Sequence, residues 1–233
     1  MKMNNKKLFI LELNEINFDL IKKYIDVLPT FKKILKENKL IETLSEDKLE
    51  NVEPWILWPS IHTGLSYNEH KLFNLNDYNK LKCEQIWEKL EKKNLNIAAI
   101  SPMNAKDNFG NKSFYLPDPW SNNSAKGSFM MKLLKTTTSY FVNNNAGKEK
   151  NLFMYLLLFL CFLRYANFIN YYSYIRIFIS SIKKKWFQSI FLDLLLFDFS
   201  KTFIKKNFNF TTLFLNGGAH IQHHYLFNSK LSN

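Results

Sequence analysis

The sequence predicts an α/β fold: a mostly parallel sheet flanked by helices, with a helical insert in the second half of the chain. Three observations lead to this prediction. Short apolar runs typical of buried strands alternate with segments whose apolar residues recur at helical spacing. From about residue 121 the strand-like alternation stops, and a strand-like run returns near residue 210. We therefore expect a first core part at 1–120, the insert at 121–207, and a return to the core at 208–233.

Each element of the first part is predicted by its own pattern. An apolar run of about six residues indicates a buried strand, and apolar residues three or four apart indicate a helix. A proline after a break in the pattern marks the first turn of a new helix. The predicted elements are a strand at Lys7–Leu13, a helix around Phe18–Ile25, a helix from Pro29, a short strand at Lys39–Thr43, an amphipathic helix at Glu84–Lys93 and a strand at Leu95–Ile100.

The insert, predicted as helical from Phe129 to about Asn207, contains the most apolar part of the chain. Leu152–Leu163 is a run of twelve apolar residues, and three lysines and a tryptophan follow at 183–186. A membrane-spanning helix needs about 20 apolar residues, and shorter runs are more often buried or interfacial. Three interpretations stay open: a buried core or cap helix, an interfacial helix with basic and aromatic anchors, and a true span.

The composition limits the function classes. The chain has 233 residues, 46 % of them hydrophobic, and a net charge of +12. The charge is explained either by a Lys- and Asn-rich composition of AT-biased coding or by attraction to anions such as a membrane surface or a phosphorylated substrate. No recognisable nucleic-acid module accompanies the charge, so we expect no nucleic-acid partner.

The cysteines and the N-terminus predict the compartment. Cys83 and Cys161 do not form a disulfide framework, which favours a reducing compartment. The apolar run Leu8–Leu11 is broken by Glu12 and is too short for a signal peptide. We expect a cytoplasmic protein, with peripheral contact to a membrane as an open alternative.

Three polar segments follow predicted strands or turns. The first is Leu11–Glu15, which is typical either of hard-cation ligands or of a turn that caps a helix. The second contains Pro59-Ser60, which suits a helix start that binds an anion, or else a buried aromatic helix entry, with Thr63-Gly64 closing the helix. In the third, Asn216-x-x-x-His220 follows a strand and a Gly-Gly turn, and the spacing lets two side chains converge on one ion.

Together these segments resemble the alkaline phosphatase superfamily, in particular its type I phosphodiesterase and nucleotide pyrophosphatase-like members. Asn14 and Glu15 match the positions of a metal-binding Asp and the Gly after it. Trp58–Gly64 with Glu69-His70 is similar to the nucleophile segment, and Asn216 with His220 is similar to the Asp-x-x-x-His metal motif. The resemblance implies a metal-dependent hydrolase or transferase of phosphoesters or related substrates. The resemblance also implies a divalent metal cofactor, for which we expect zinc, bound by Asn14, Asn216 and His220.

The departures from the family pattern matter for activity. The register of the nucleophile falls on Pro54, so Glu53 beside it and Ser60, the nearest hydroxyl, are the catalytic candidates. Asn in both Asp positions removes two negative charges that hard cations prefer. The family's Asp-His pair and later His are missing before residue 233, so we expect a truncated or inactive chain.

The alternatives are a catalytically inactive binder of an anionic small molecule, glycan or lipid-linked precursor, and a membrane-surface protein with a vestigial site. The roles of Gln222, His223 and His224 stay open.

Overall fold

The computed structural model describes residues 7–144, 151–204, 206 and 208–225, without the side chains of His224 and Tyr225. These residues form a parallel sheet of four strands flanked by helices, which confirms the predicted fold class. The sequence also predicts a loop at Asn143–Lys148, most of which lies outside the described residues. The strands, which stand in the order β1-β4-β2-β3, are β1 (Leu8–Leu13), β2 (Ile97–Ile100), β3 (Phe114–Leu116) and β4 (Phe210–Leu215).

Helices surround this sheet and make up most of the described chain. Before the insert they are α1 (Phe18–Lys23), α2 (Pro29–Glu37), α3 (Pro54–Thr63), α4 (Tyr67–His70) and α5 (Ile86–Glu91). In the insert and after it they are α6 (Phe129–Asn143), α7 (Leu152–Tyr165), α8 (Tyr171–Lys183), α9 (Phe187–Ile204) and α10 (Gly217–Tyr225).

Strand β4 is central because it pairs with β1 on one side and β2 on the other. Its residues are almost all buried, as expected for a parallel strand covered on both faces. Leu213 points to one face and Phe210 to the other, and each belongs to a separate hydrophobic core. The core around Phe210 contains Trp87 of α5, whereas the core around Leu213 is filled by the insert.

The insert is the flanking layer of one face of the sheet. Leu195 and Phe199 of α9 are fully buried and belong to the same core as Leu213 of β4. Leu134 of α6 and Cys161 of α7 extend that core outward. The insert therefore shares a single hydrophobic core with the sheet, and helix α9 lies between the sheet and the outer helices.

Helices α7 and α8 form a bent hairpin on the outside of the insert. A short 3-10 turn, Phe168–Asn170, joins them, and the two helical segments are bent by 118°. The buried carboxylate of Asp198 on α9 accepts hydrogen bonds from the Asn167 N–H at 2.8 Å and the Tyr174 hydroxyl at 3.0 Å. The Lys201 ammonium lies 3.0 Å from the same carboxylate. Asp198 thereby fixes the bend of the hairpin.

One predicted strand is wrong, and one strand was not predicted. The segment predicted as a strand at Lys39–Thr43 is irregular, and Ile41 is 74 % exposed. A short apolar run needs a neighbouring strand to pair with, and residues 38–46 pair with no described strand. Strand β3 has only three residues and follows a polar loop, so its pattern is too short to be distinguished from a turn.

Candidate functional site

The candidate site lies at the carboxyl edge of strands β1 and β4. The two strands are parallel and adjacent, with Leu13 opposite Leu215. The Asn14 N–H donates to the Leu215 carbonyl at 3.0 Å, so the pairing continues past the strand end. The next residues, Asn14 and Asn216, therefore stand side by side, as expected for polar residues that follow neighbouring parallel strands.

The side chains of Asn14, Asn216 and Trp58 form a hydrogen-bonded group that we call the amide cluster. The Trp58 indole N–H donates to Asn14 Oδ1 at 2.8 Å, and Asn14 Nδ2 donates to Asn216 Oδ1 at 2.7 Å. The indole nitrogen is only a donor, so the atom of Asn14 that faces it must be the oxygen. Trp58 is itself positioned by edge-to-face contact with Phe214, at 5.1 Å between ring centroids. The orientation of both amides follows from this single donor.

The amide cluster does not fit a pair of divalent cations. Its side chains carry no net charge, and both amide oxygens already accept a hydrogen bond. Hard cations prefer charged oxygen ligands. Within the described residues, no group of three or more His, Cys, Asp or Glu side chains could hold a metal. Metal binding by Asn14, Asn216 and His220 stays a prediction.

Glu15 connects the β1 edge to helix α10. Its φ of 52° lies in the left-handed region, which suits the position where the resemblance places a glycine. One Glu15 carboxylate oxygen accepts from Asn14 Nδ2 at 3.2 Å, and the other is hydrogen-bonded to His223. The Gln222 amide donates to the Glu15 carbonyl. Gln222 and His223 thus hold α10 against the turn after β1, whereas the side chain of His224 lies outside the described residues.

Helix α10 begins at Gly217, so the predicted Gly-Gly turn is wrong and both glycines are helical. The Asp193 carboxylate of α9 accepts from the N–H groups of Gly217, at 2.6 Å, and Asn216, at 3.3 Å. A side chain on residue 217 would place its Cβ 2.5 Å from Asp193 Oδ2, so any residue other than glycine would displace this carboxylate. Burial raises the pKa of Asp193 to about 7.

His220 lies one turn into helix α10, where its backbone N–H donates to the Asn216 carbonyl at 3.2 Å. Its side chain lines a small cavity of about 30 Å³ that Asn216 and Asp193 also line. It also lines a larger cavity inside the insert. The structure therefore places His220 between the sheet edge and the insert.

Helix α3 differs from its prediction at the N-terminal end. It begins at Pro54, which makes Pro59 an interior residue instead of the first residue of the helix. A proline at this position cannot bond to the carbonyl four residues earlier, that of Trp55. The Asn104 side chain donates to that carbonyl at 2.8 Å, which compensates for the missing bond. The anion-binding helix start predicted at Pro59-Ser60 is therefore wrong, whereas the predicted end is confirmed by Gly64 with φ of 76°.

Glu53 and Ser60, the predicted catalytic residues, lie at different places on helix α3. Glu53 is the exposed residue before the helix, and its side chain makes no capping hydrogen bond. Ser60 Oγ lies 2.9 Å from His70 Nε2. Only Ser60 has a histidine partner of the kind that activates a hydroxyl nucleophile.

The tautomer of His70 decides what this pair can do. Its Nδ1 accepts a hydrogen bond from the Leu72 N–H at 3.0 Å, so the proton of the neutral ring is on Nε2. Nε2–H therefore donates to Ser60, and the histidine cannot accept the hydroxyl proton in this arrangement. Burial lowers the pKa of His70 and keeps the ring neutral. The pair joins α3 to α4 and has no activated nucleophile.

Two pairs of buried polar groups lie near the sheet edge, and the second of them, Asp118 with Lys135, was not singled out from the sequence. His62 Nε2 lies 3.3 Å from Glu12 Oε2, and both residues are at least nine-tenths buried. Past β3, the buried Asp118 carboxylate accepts from the Asn104 N–H at 3.1 Å, and burial raises its pKa to about 6. The Lys135 ammonium donates to the Asp118 carbonyl at 2.9 Å, and burial lowers the Lys135 pKa to about 8. Glu12 and His62 occur in the polar segments described above. The sequence does not indicate that Lys135 is a buried polar residue, because it lies inside an apolar helix pattern.

Comparison of the chain with protein-family models, with curated proteins and with solved structures gives no match.

Proposed function

We propose that this chain is a membrane-surface protein of alkaline phosphatase-like architecture. Its sheet edge binds an anionic small molecule, glycan or lipid-linked precursor and does not carry out metal-dependent hydrolysis. The observation that carries the proposal is the outer surface of the α7–α8 hairpin. Each helix has a stripe of exposed apolar side chains three or four residues apart, and we call these the outer stripes. They consist of Phe153, Leu156, Leu160 and Leu163 on α7, and Tyr172, Ile175, Ile179 and Ile182 on α8.

The outer stripes are too apolar for a surface that faces only water. Phe153 is 61 % exposed and Ile182 is 71 % exposed, and the turn between the helices adds the exposed Phe168. Helix α7 also buries Met154 and Cys161 on its other side, so it is apolar all round. Large contiguous apolar patches mark surfaces that contact a protein or a membrane. A helix that is apolar all round is buried or lies in lipid.

The charge pattern favours an anionic membrane over a protein partner. Between residues 151 and 192 the sequence contains five basic residues and no acidic residue. Basic residues beside a membrane contribute about 1 kcal/mol each to binding of an anionic surface. The basic residues of this segment, all of them exposed, are Arg164, Arg176, Lys183, Lys184 and Lys185.

The length of the helices bears on how the hairpin would lie. No single helix of the described residues is long and apolar enough to cross a membrane. Leu152–Tyr165 and Phe168–Lys183 meet the length and composition criteria together, as a bent pair. By length and composition such a pair suits a broken span or a re-entrant loop. The outer stripes and the exposed basic residues of the segment suit instead a position in the interface of one leaflet. We therefore propose an interfacial position for the hairpin.

The amide cluster is what supports binding over hydrolysis at the sheet edge. Asn14 and Asn216 share a hydrogen bond where the resemblance implies charged metal ligands, and Ser60 has no base. The left-handed conformation of Glu15 supports the proposed relationship to the superfamily, because glycine occupies that position in the resemblance. Metal-dependent hydrolysis by this chain remains the competing hypothesis.

Vesicle co-sedimentation tests the membrane proposal. Wild-type protein should bind vesicles of phosphatidylcholine mixed with phosphatidylglycerol more strongly than phosphatidylcholine alone. The double variant Leu156→Glu/Ile179→Glu should reduce binding roughly tenfold or more, since two exposed apolar contacts are lost. Leu44→Glu is the matched control, because Leu44 is fully exposed and lies outside the insert. Equal loss in the control, or no binding by the wild type, would refute the proposal.

A further inference from the structure

A cavity of about 490 Å³ lies inside the insert, between helices α6, α7, α8 and α9. Its volume is within the range of about 300–1,000 Å³ that is typical of ligand sites. Side chains such as Leu158 and Phe162 of α7 and Phe191 of α9 make its walls mainly apolar. A site of this composition suits a hydrocarbon or ring system and not a free sugar or nucleotide.

The polar groups of the cavity are few and carry no negative charge. Apart from its aromatic side chains, the polar residues that line it are Ser181, Lys185, Gln188, Ser189 and His220, and none of the described residues that line it is acidic. Lys185 is exposed, so it stands at the rim, and its ammonium group makes no ion pair or hydrogen bond with a described residue. An apolar cavity with one unpaired cation at its rim is complementary to an amphiphile with an anionic head.

The cavity opens toward the surface that carries the outer stripes. Ile175 belongs to the outer stripe of α8 and also lines the cavity, and it is 58 % exposed. Phe159 and Phe178 likewise line the cavity and are exposed. A lipid in a membrane that contacts the hairpin would therefore reach the cavity without crossing water.

We propose that this cavity binds one hydrocarbon chain of an anionic membrane lipid, with the acidic head of that lipid paired to Lys185. The inference deepens the proposed function and rests on it, because the lipid is taken from the membrane that the hairpin contacts. His220 lines both this cavity and the small cavity beside Asn216, so the bound chain lies next to the sheet edge. The class of ligand is a carboxylate or phosphate amphiphile.

The experiment uses parinaric acid, a fluorescent fatty acid, without vesicles. Trp186 lines the cavity, so energy transfer from tryptophan to the bound probe reports occupancy. Ser189→Phe should fill the cavity and abolish binding of both parinaric acid and its alcohol analogue. Lys185→Gln should weaken the binding of parinaric acid about fivefold and leave the binding of the alcohol unchanged, because only the acid pairs with the ammonium group. Lys183→Gln, an exposed lysine outside the cavity lining, is the matched control.

Each outcome separates the cavity from the membrane surface. Unchanged binding in Ser189→Phe, or equal effects of Lys185→Gln and Lys183→Gln, would overturn the cavity proposal. If circular dichroism shows that Ser189→Phe does not fold, Val142→Phe on α6, which also lines the cavity, provides the second blocking variant. Loss of vesicle binding with retained parinaric acid binding would refute only the membrane proposal. Retained vesicle binding with no parinaric acid binding would refute only the cavity.

Discussion

The Asp193 carboxylate accepts a hydrogen bond from the Gly217 N–H at 2.6 Å, so a residue of the insert caps the helix that follows β4. The contact joins two segments that are 24 residues apart in the sequence. The first turn of a helix has free N–H groups, and a carboxylate is a favourable partner for them. The position of helix α10 therefore depends on the insert as well as on the strand that precedes it.

Asp193 should make stability depend on pH. Its pKa is raised from 3.8 to about 7. Between pH 4 and pH 7 the Asp193 carboxyl is therefore protonated in the folded protein and ionised in the unfolded chain. Stability should therefore fall as pH rises from about 4 to 7, and Asp193 should contribute about 3 kcal/mol of that loss between pH 5 and pH 8. Urea unfolding at the two pH values measures this.

The variant Asp193→Asn should remove most of that pH dependence and leave a smaller slope of the same sign from Asp118, whose pKa is also raised. Asp19→Asn is the control, because its side chain is 95 % exposed. If the free energy of unfolding of Asp193→Asn changed with pH as steeply as that of the wild type, the assignment of this pH dependence to Asp193 would be contradicted.

Replacing both amides of the cluster by carboxylates tests whether charged side chains at these two positions bind a metal. In Asn14→Asp/Asn216→Asp, two like charges would stand where the amides are now 2.7 Å apart, and the loss of stability should be about 2 kcal/mol. Zn²⁺ or Mg²⁺ should raise the melting temperature of this variant and leave that of the wild type unchanged. Asn17→Asp, a helix-cap position, should show no response to either metal.

The same pair of proteins tests hydrolysis. Neither metal retention nor turnover of an aryl phosphodiester is expected for the wild type. Stoichiometric zinc in purified wild-type protein, with turnover lost on chelation, would establish the hydrolase and refute the non-hydrolytic site.

Trp58→Phe should destabilise the fold through one missing donor. Asn14 Oδ1 would lose its hydrogen bond in a buried place, at a cost of about 1–3 kcal/mol. Trp55→Phe is the matched control, because the Trp55 indole donates to the Phe73 carbonyl at an exposed position where water can replace it. Chemical denaturation of the two variants gives the comparison. Equal losses would mean that the indole N–H does not organise the amides.

The two adjacent glycines of helix α10 should tolerate alanine differently. At Gly217 the added Cβ would lie 2.5 Å from Asp193 Oδ2, and we expect a loss of about 2 kcal/mol because the buried carboxylate must move. At Gly218 the nearest atom, at 2.8 Å, is the Cδ1 of Ile16, the movable end of a side chain, and the loss should be smaller. Thermal unfolding of Gly217→Ala and Gly218→Ala measures the two losses of stability. A larger loss in Gly218→Ala would contradict the close contact between residue 217 and Asp193.

Strands β2 and β4 were predictable because burial on both faces leaves largely apolar runs. Ile97–Ile100 lies inside the strand predicted at Leu95–Ile100, and Phe210–Leu215 is the strand-like run predicted near residue 210. The strand predicted at Lys7–Leu13 forms at Leu8–Leu13, but its predicted burial is wrong, because it stands at an edge of the sheet and its Leu8 and Leu11 are exposed. Local sequence also gives the end of α3, since Gly64 adopts the left-handed conformation that closes a helix. The parallel order then brings Asn14 and Asn216 together, as the motifs indicated.

What the sequence could not give depends on contacts between distant segments. Gly217 resembles a turn residue until the approach of Asp193 is known. Pro59 resembles a helix start because the compensating donor, Asn104, lies 49 residues from the carbonyl it satisfies. The His70 tautomer likewise depends on a backbone N–H that no spacing rule identifies. These contacts decide whether the candidate site has a nucleophile, a metal or neither.

The bend between α7 and α8 is fixed before the hairpin meets any partner. Asp198 holds the turn residues and Tyr174 together from the core side, so the shape of the hairpin is set when the chain folds. In the proposed binding to a membrane, the backbone of the hairpin would need no further ordering, so the conformational entropy of that segment would not oppose binding. The association rate would then depend on diffusion and long-range electrostatic attraction, and it should change more with the ionic strength of the solution than with temperature.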